Sequence, residues 1–262
     1  MSLIRQYSRN MVAEFLGTMG LIMAAIGSIL MPELVWGSTM AYEFVFINAL
    51  AVGFILFALI ETLGPLSGAY FNPAVTLAQL YSKEISSKKA ALYILAQLSG
   101  ALFGVLLVNA MFYDTTQALV FVSENERATL PTFLSEFVCT FLLVAVIYGC
   151  VRGRSRNTSL AVGLFVGGMI VTSSSTMYAN PAVDLARIFT NAACGIAPMS
   201  SLAFMLASIL GALTAALVFD WLYPTKLDND QKCDPFDCSR KESASQLIHI
   251  QDPTPDGSFD RR

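Results

Sequence analysis

The chain has 262 residues, of which 55% are hydrophobic and 13% charged, and its formal net charge is −3 at pH 7. A soluble domain of this size carries about 25% charged residues, so the composition excludes an ordinary water-soluble globular protein. The net charge itself excludes little, because the acids gather in the C-terminal tail, and no nucleic-acid partner is expected.

The apolar residues form long blocks: 11–31, 41–62, 90–110, 132–151, 159–177 and 200–222. Each holds about 20 residues, the length an α-helix needs to cross a hydrocarbon layer of roughly 30 Å, and six spans are expected. The first is not a signal peptide, since its apolar run is too long and no small-x-small cleavage site follows it. Basic residues alternate with the spans. Arg5 and Arg9 precede the first; Lys83, Lys88 and Lys89 lie between the second and third; Arg152, Arg154 and Arg156 lie between the fourth and fifth; six more follow Tyr223. Only Arg127 and Arg187 fall in the intervening connections. By the positive-inside rule both termini face the cytoplasm, and the chain is expected to be a multi-pass protein of the plasma (inner) membrane.

The tail, 224–262, is polar and rich in acids and prolines, and is expected to be disordered. It holds His249, the chain's one histidine, and Cys233 and Cys238. A reducing compartment argues against a tail disulfide. Two thiols without further ligands make a solvated tail the better account than a soft-metal site, so no metal or cofactor is expected.

The chain repeats itself. AEFLGTMGLI at 13–22 aligns with SEFVCTFLLV at 135–144, pairing Glu14 with Glu136, and Asn72-Pro73-Ala74-Val75 recurs as Asn180-Pro181-Ala182-Val183. Repeat one covers about 11–110 and repeat two about 132–223, together a channel-like domain over 1–223. An odd number of spans per half inverts the second half in the membrane, and inverted repeats place their site near the midplane. The segments from Asn72 to Ser82 and from Asn180 to Thr190 are too short to cross. About ten residues make a helix of about 15 Å. Asn is a preferred N-cap and Pro a preferred first helical residue, so each segment reads as a half-helix beginning at Pro73 or Pro181. Irregular backbone at membrane depth requires burial in protein or a water-lined cavity. Two half-helix N-termini meeting at the midplane repel cations and offer hydrogen-bond donors to a neutral solute.

AEFLGT, SGAYFNPAVTLA and ANPAVDLAR, placed among six spans, resemble the aquaporin and aquaglyceroporin (major intrinsic protein) family over residues 11–223. The resemblance implies an all-α membrane fold of six transmembrane helices and two re-entrant half-helices in two inverted repeats, without enzymatic activity. It also implies a homotetramer in lipid, with water and small neutral solutes as the partners. Asn72, Pro73, Ala74, Asn180, Pro181 and Ala182 would form the pore centre. In the family, buried glutamates such as Glu14 and Glu136 hold the re-entrant backbone, although a glutamate can also lie near a helix end at the interface. Glu61 reads as interfacial or as part of a pore mouth. Gly100 and Gly104, and Gly163 and Gly167, have the spacing of close helix packing.

The family's outer constriction maps by spacing onto Val52, Gly168, Met177 and Val183. Water-selective members carry an aromatic, a histidine, a small residue and an arginine there; glycerol-type members keep the arginine with aromatics and a glycine. This chain has none of the aromatics, the histidine or the arginine. The expected ring is wide and apolar, partly refilled by a flexible Met, and suits glycerol-like polyols. A Val after the second Asn-Pro-Ala resembles a bacterial subgroup, some members of which pass undissociated arsenous acid or related neutral acids. Asp184, shared with glycerol-type relatives, reads as a cap of the half-helix. Arg187 lies one turn beyond Val183 on the same face. It either curls back to the pore mouth or pairs with Asp184 or an outer-loop carbonyl. Two other readings stay open: a strict water channel narrowed by Arg187 or Met177, and a proton-coupled carrier on the same plan. No nucleophile, metal-ligand or phosphate-cradling motif points to an enzyme.

Overall fold

In the computed structural model, helix α1 (Leu3–Trp36) packs along α4 (Ser87–Met111), and α6 (Leu130–Arg152) packs along α9 (Pro198–Leu222). Between these pairs, α2 (Ala41–Ser67) lies against α7 (Thr158–Thr172). Two short helices, α3 (Pro73–Tyr81) and α8 (Pro181–Arg187), each touch both α4 and α9. A single turn, α5 (Tyr113–Thr116), follows α4. The structure describes residues 3–36 and 41–223, within one compact unit, Met1–Leu227. The tail expected to be disordered, with His249, Cys233 and Cys238, lies outside the described residues.

The side chains are arranged for a lipid solvent. Phe54, Leu95, Phe103, Leu164, Leu202 and Trp221 are exposed, while Glu14, Thr76, Gln97, Glu136, Asp184 and Ser201 are buried. Hydrocarbon tolerates apolar side chains outside, whereas polar groups must find partners within the bundle. The three long pairs meet through glycine. A Cβ on Gly100 or Gly211 would lie 2.4 or 2.3 Å from the carbonyl oxygen of Phe15 or Phe137. One on Gly163 would lie 2.7 Å from the Gly53 oxygen, so the backbones themselves touch.

Among the described residues, five helices are long and apolar enough to cross a membrane. The expected fifth span, 159–177, is shorter than the sequence suggests. Helix α7 is apolar but stops at Thr172 after 15 residues, about 22 Å at the usual helical rise. Beyond it come three consecutive serines and then left-handed backbone at Thr176 and Met177. The half-helices are also shorter than the expected ten or so residues, with nine in α3 and seven in α8. Helix α2, by contrast, continues to Ser67, where Gly68 adopts φ +95°, a conformation that ends helices and suits glycine.

The connections gather at two ends. At the end where α9 finishes, Arg152 reaches Asp220 at 2.6 Å and Glu84 at 3.7 Å, and Ser82 donates to Asp220 at 3.0 Å. At the far end, the connection 117–129 lies along the segment after α8. Ser123 N donates to Ile188 O (2.8 Å), and Ala197 N donates to Asn125 O (2.9 Å).

Candidate functional site

The two Asn-Pro-Ala motifs meet directly. Asn72 Nδ2 donates to Ala179 O at 2.8 Å, and Asn180 Nδ2 donates to Phe71 O at 2.9 Å, so each asparagine ties down the carbonyl that precedes the other. Their Oδ1 atoms cap their own helices, accepting from Ala74 N and Ala182 N at 2.9 Å each. Each asparagine thus closes a helix start and a contact between the repeats, and its amide retains a second hydrogen. Pro73 and Pro181 occupy the first helical positions, where a missing N–H costs nothing.

The backbone entering each motif is held in the left-handed region at matching places. Ala69 (φ 52°) and Phe71 (φ 48°) precede Asn72; Met177 (φ 47°) and Ala179 (φ 46°) precede Asn180. Non-glycine residues there cost about 1–3 kcal/mol each and persist only when the surroundings enforce them. The buried glutamates supply the enforcement. Glu14 accepts from Tyr70 N (3.1 Å) and Phe71 N (2.8 Å). Glu136 accepts from Tyr178 N (2.9 Å) and Ala179 N (2.6 Å). Glu14 also receives Ser67 Oγ at 2.6 Å and Gln97 Nε2 at 2.7 Å.

Of the four constriction candidates, Val52, Met177 and Val183 are each 5% exposed, close to Asn72 at 5% and Asn180 at 4%. Gly168 differs. It is exposed, and a Cβ built on it would meet nothing within 4 Å. Glu61 is exposed and accepts from Ser159 Oγ at 2.6 Å.

Asp184 and Arg187 are buried in α8. The Asp184 carboxylate caps nothing, as neither oxygen has a hydrogen-bond partner. Among the described residues Arg187 forms no ion pair, with Asp184 or any other acid. Its guanidinium lies 4.0 Å from the centroid of the Tyr178 ring, and its Nε has no hydrogen-bond partner. Of the alternatives left open for Arg187, the ion pair with Asp184 does not form, and a cation–π contact is found instead. The aromatic face two residues before Asn180 is within reach, and it accepts a cation without an ion pair.

Sequence reasoning missed several of these groups. Ser67, Gln97 and Tyr178 gave faint signals: Ser67 and Ser175 stand 108 residues apart like the asparagines, and so do Tyr70 and Tyr178. Arg127 was legible only as one of two basic residues in the alternate connections. In the structure its Nη1 donates to Tyr178 Oη at 2.9 Å and its Nη2 to Ser175 O at 3.2 Å.

Comparison with known proteins gives the family and the fold. The family model described as major intrinsic protein matches residues 3–219. The aquaglyceroporin AqpS of Rhizobium meliloti (strain 1021) is 39% identical over 215 residues, covering 82% of this chain and 90% of that protein. Aquaporin-5 of Ovis aries is 30% identical over 230 residues, covering 82% and 81%. The X-ray structure of the aquaglyceroporin from Plasmodium falciparum superposes with a TM-score of 0.64 at 23% identity. It covers 82% of this chain and 96% of that one, a likeness of fold.

Proposed function

The chain belongs to the major intrinsic protein family, and from that premise we propose that it is a passive channel whose constriction is wide, apolar and without the usual arginine. It is a multi-pass membrane protein that passes water and small solutes, and it is not an enzyme. The finer reading is that Val52, Gly168, Met177 and Val183 form the constriction. Glycerol-like polyols pass it, and so does undissociated arsenous acid, which matches them in size and hydrogen bonding. The 39% identical relative is named an aquaglyceroporin, which favours the larger solutes.

The observation that carries this reading is the residue at 183. An arginine there would bring a fixed charge and up to five donors; the valine brings neither and is 5% exposed. Open space beside Gly168 supports a ring that is not filled on that side. We further propose a homotetramer with one pore per subunit, in the plasma (inner) membrane, with both termini cytoplasmic.

Stopped-flow measurements on proteoliposomes test the reading by comparing water, glycerol and arsenous acid for wild type and Val183→Arg. Wild type is expected to pass the larger solutes, and the arginine variant to lose them while keeping water. A wild type that passes water alone overturns the wide ring and leaves a strict water channel narrowed by Arg187 or Met177. Flux that collapses on adding a protonophore overturns the channel in favour of a coupled carrier.

A further inference from the structure

With no arginine at 183, the family's usual fixed charge at the constriction is absent, yet two guanidinium groups converge one residue from Met177. Arg187 approaches the Tyr178 ring at 4.0 Å from α8, and Arg127 approaches it at 5.4 Å from the connection 117–129. Tyr178 is anchored all round. Its N–H donates to Glu136, its hydroxyl donates to Cys194 O at 2.8 Å, and Phe204 packs edge-on at 5.5 Å. Arg127 spans the left-handed stretch Thr176–Met177, binding Ser175 O on one side and the Tyr178 hydroxyl on the other. Its own backbone N–H is fixed by Ser200 Oγ at 2.9 Å.

Neither guanidinium is in an ion pair among the described residues. The acids nearest Arg127 in sequence, Glu124 and Glu126, are exposed, where water and salt screen them. Asp184 and Glu136 lie within electrostatic reach of Arg187, but neither makes a hydrogen bond or an ion pair to either arginine. A π face holds a cation without cancelling its charge. In a low-dielectric setting such charges act over several ångströms.

We propose that Arg127 and Arg187, seated on Tyr178, supply the fixed positive field that excludes cations and protons from this pore, in place of an arginine at 183. Arg127 is in addition a positioning residue for the Met177 loop. This rests on the channel reading above but not on the pore's width: a wide apolar ring passes neutral solutes, and the displaced charges keep it from leaking ions.

The test measures proton and sodium conductance across proteoliposomes loaded with a pH-sensitive dye or a sodium reporter, with glycerol flux recorded on the same vesicles. The double variant Arg127→Gln/Arg187→Gln is expected to raise cation leak by about tenfold or more. Each single variant is expected to raise it less. Adding Val183→Arg to the double variant is expected to restore exclusion, which a merely structural role for the two arginines would not produce. Arg127→Lys keeps the charge and loses the fork, and is expected to hold cation leak near the wild-type level. Wild-type exclusion in an assembled double variant overturns the proposal, as does leak that Val183→Arg leaves unchanged. Should the double variant fail to assemble, Arg127→Gln alone decides, because that side chain is half-buried in a connection; unchanged leak there overturns the proposal equally. A wild type that conducts water but not glycerol counts against the wide ring, while the leak comparison is read in the same vesicles.

Discussion

The two repeats build the same device with different degrees of closure. In repeat one, Glu14 receives two backbone N–H groups, the Ser67 hydroxyl and the Gln97 amide. Gln97 also bonds Thr76, whose hydroxyl donates back to Asn72 O at 2.9 Å. In repeat two, Gly211 sits against Phe137 as Gly100 sits against Phe15, which puts Ser208 where repeat one has Gln97. The Asn-Pro-Ala spacing puts Asp184 where repeat one has Thr76. Glu136 keeps its two backbone donors, but Ser208 and Asp184 do not complete the circuit. Among the described residues, the buried side-chain atoms left without a partner belong to Ser173, Asp184, Arg187 and Ser208, all in repeat two. Packing is exchanged in a compensated way. The Phe71 ring needs the bare Gly17, where an added Cβ would fall 1.9 Å from it. In repeat two Ala179 replaces the ring and Cys139 the glycine. The lesson is that the scaffold is duplicated while the chemistry is concentrated in the second half. Among the described residues, repeat one is satisfied internally, whereas repeat two presents polar groups that call for water or solute.

The largest test of that contrast removes the glutamates. Glu14→Leu strips the partner from four donors and is expected to cost about 4 kcal/mol; Glu136→Leu strips two backbone donors and is expected to cost about half as much. Thermal unfolding midpoints in detergent would rank them, and equal losses would break the comparison. A second test concerns the shared scaffold. Gly100→Ala and Gly211→Ala each force a methyl into a backbone oxygen and are expected to cost a similar amount, about 1–3 kcal/mol by the same measurement. A large difference would show that the repeats are not packed alike.

Asp184→Thr transplants the repeat-one residue and removes a buried carboxylate without a partner. It is expected to raise stability by about 1 kcal/mol, at the expense of whatever water or solute the carboxylate binds. A lowered melting point would mean that Asp184 is compensated after all. The smallest effect is expected at Gly168. Its Cβ position is open, so Gly168→Ala should leave the unfolding free energy unchanged to within about 0.5 kcal/mol. Any loss should appear in glycerol flux instead, read by light scattering.

Much of this molecule was written in the sequence. Apolar blocks of about 20 residues, alternating basic connections and the twice-used Asn-Pro-Ala required a multi-span helical fold with two capped half-helices. Those features are local: helix length, cap chemistry and repeat spacing need no neighbour to be read. The end of α7 at Thr172 was marked only by the serines 173–175, which a helix can also carry, and the seven-residue length of α8 was not legible, because Ile188 and Phe189 continue its apolar run. Helix α7 gives way to extended backbone at Ser173, and the chain after α8 is held by the connection 117–129, where Ser123 N donates to Ile188 O. Nor could sequence decide where Arg187 goes. Its spacing left open the pore mouth, an ion pair with Asp184 or an outer-loop carbonyl, and only the folded chain brings Tyr178 beneath it and Arg127 from a connection 60 residues earlier. Sequence settles which charges and caps exist along one helix. Tertiary structure alone settles which of them share a buried space, where a partner from a distant segment outweighs the neighbour three residues away.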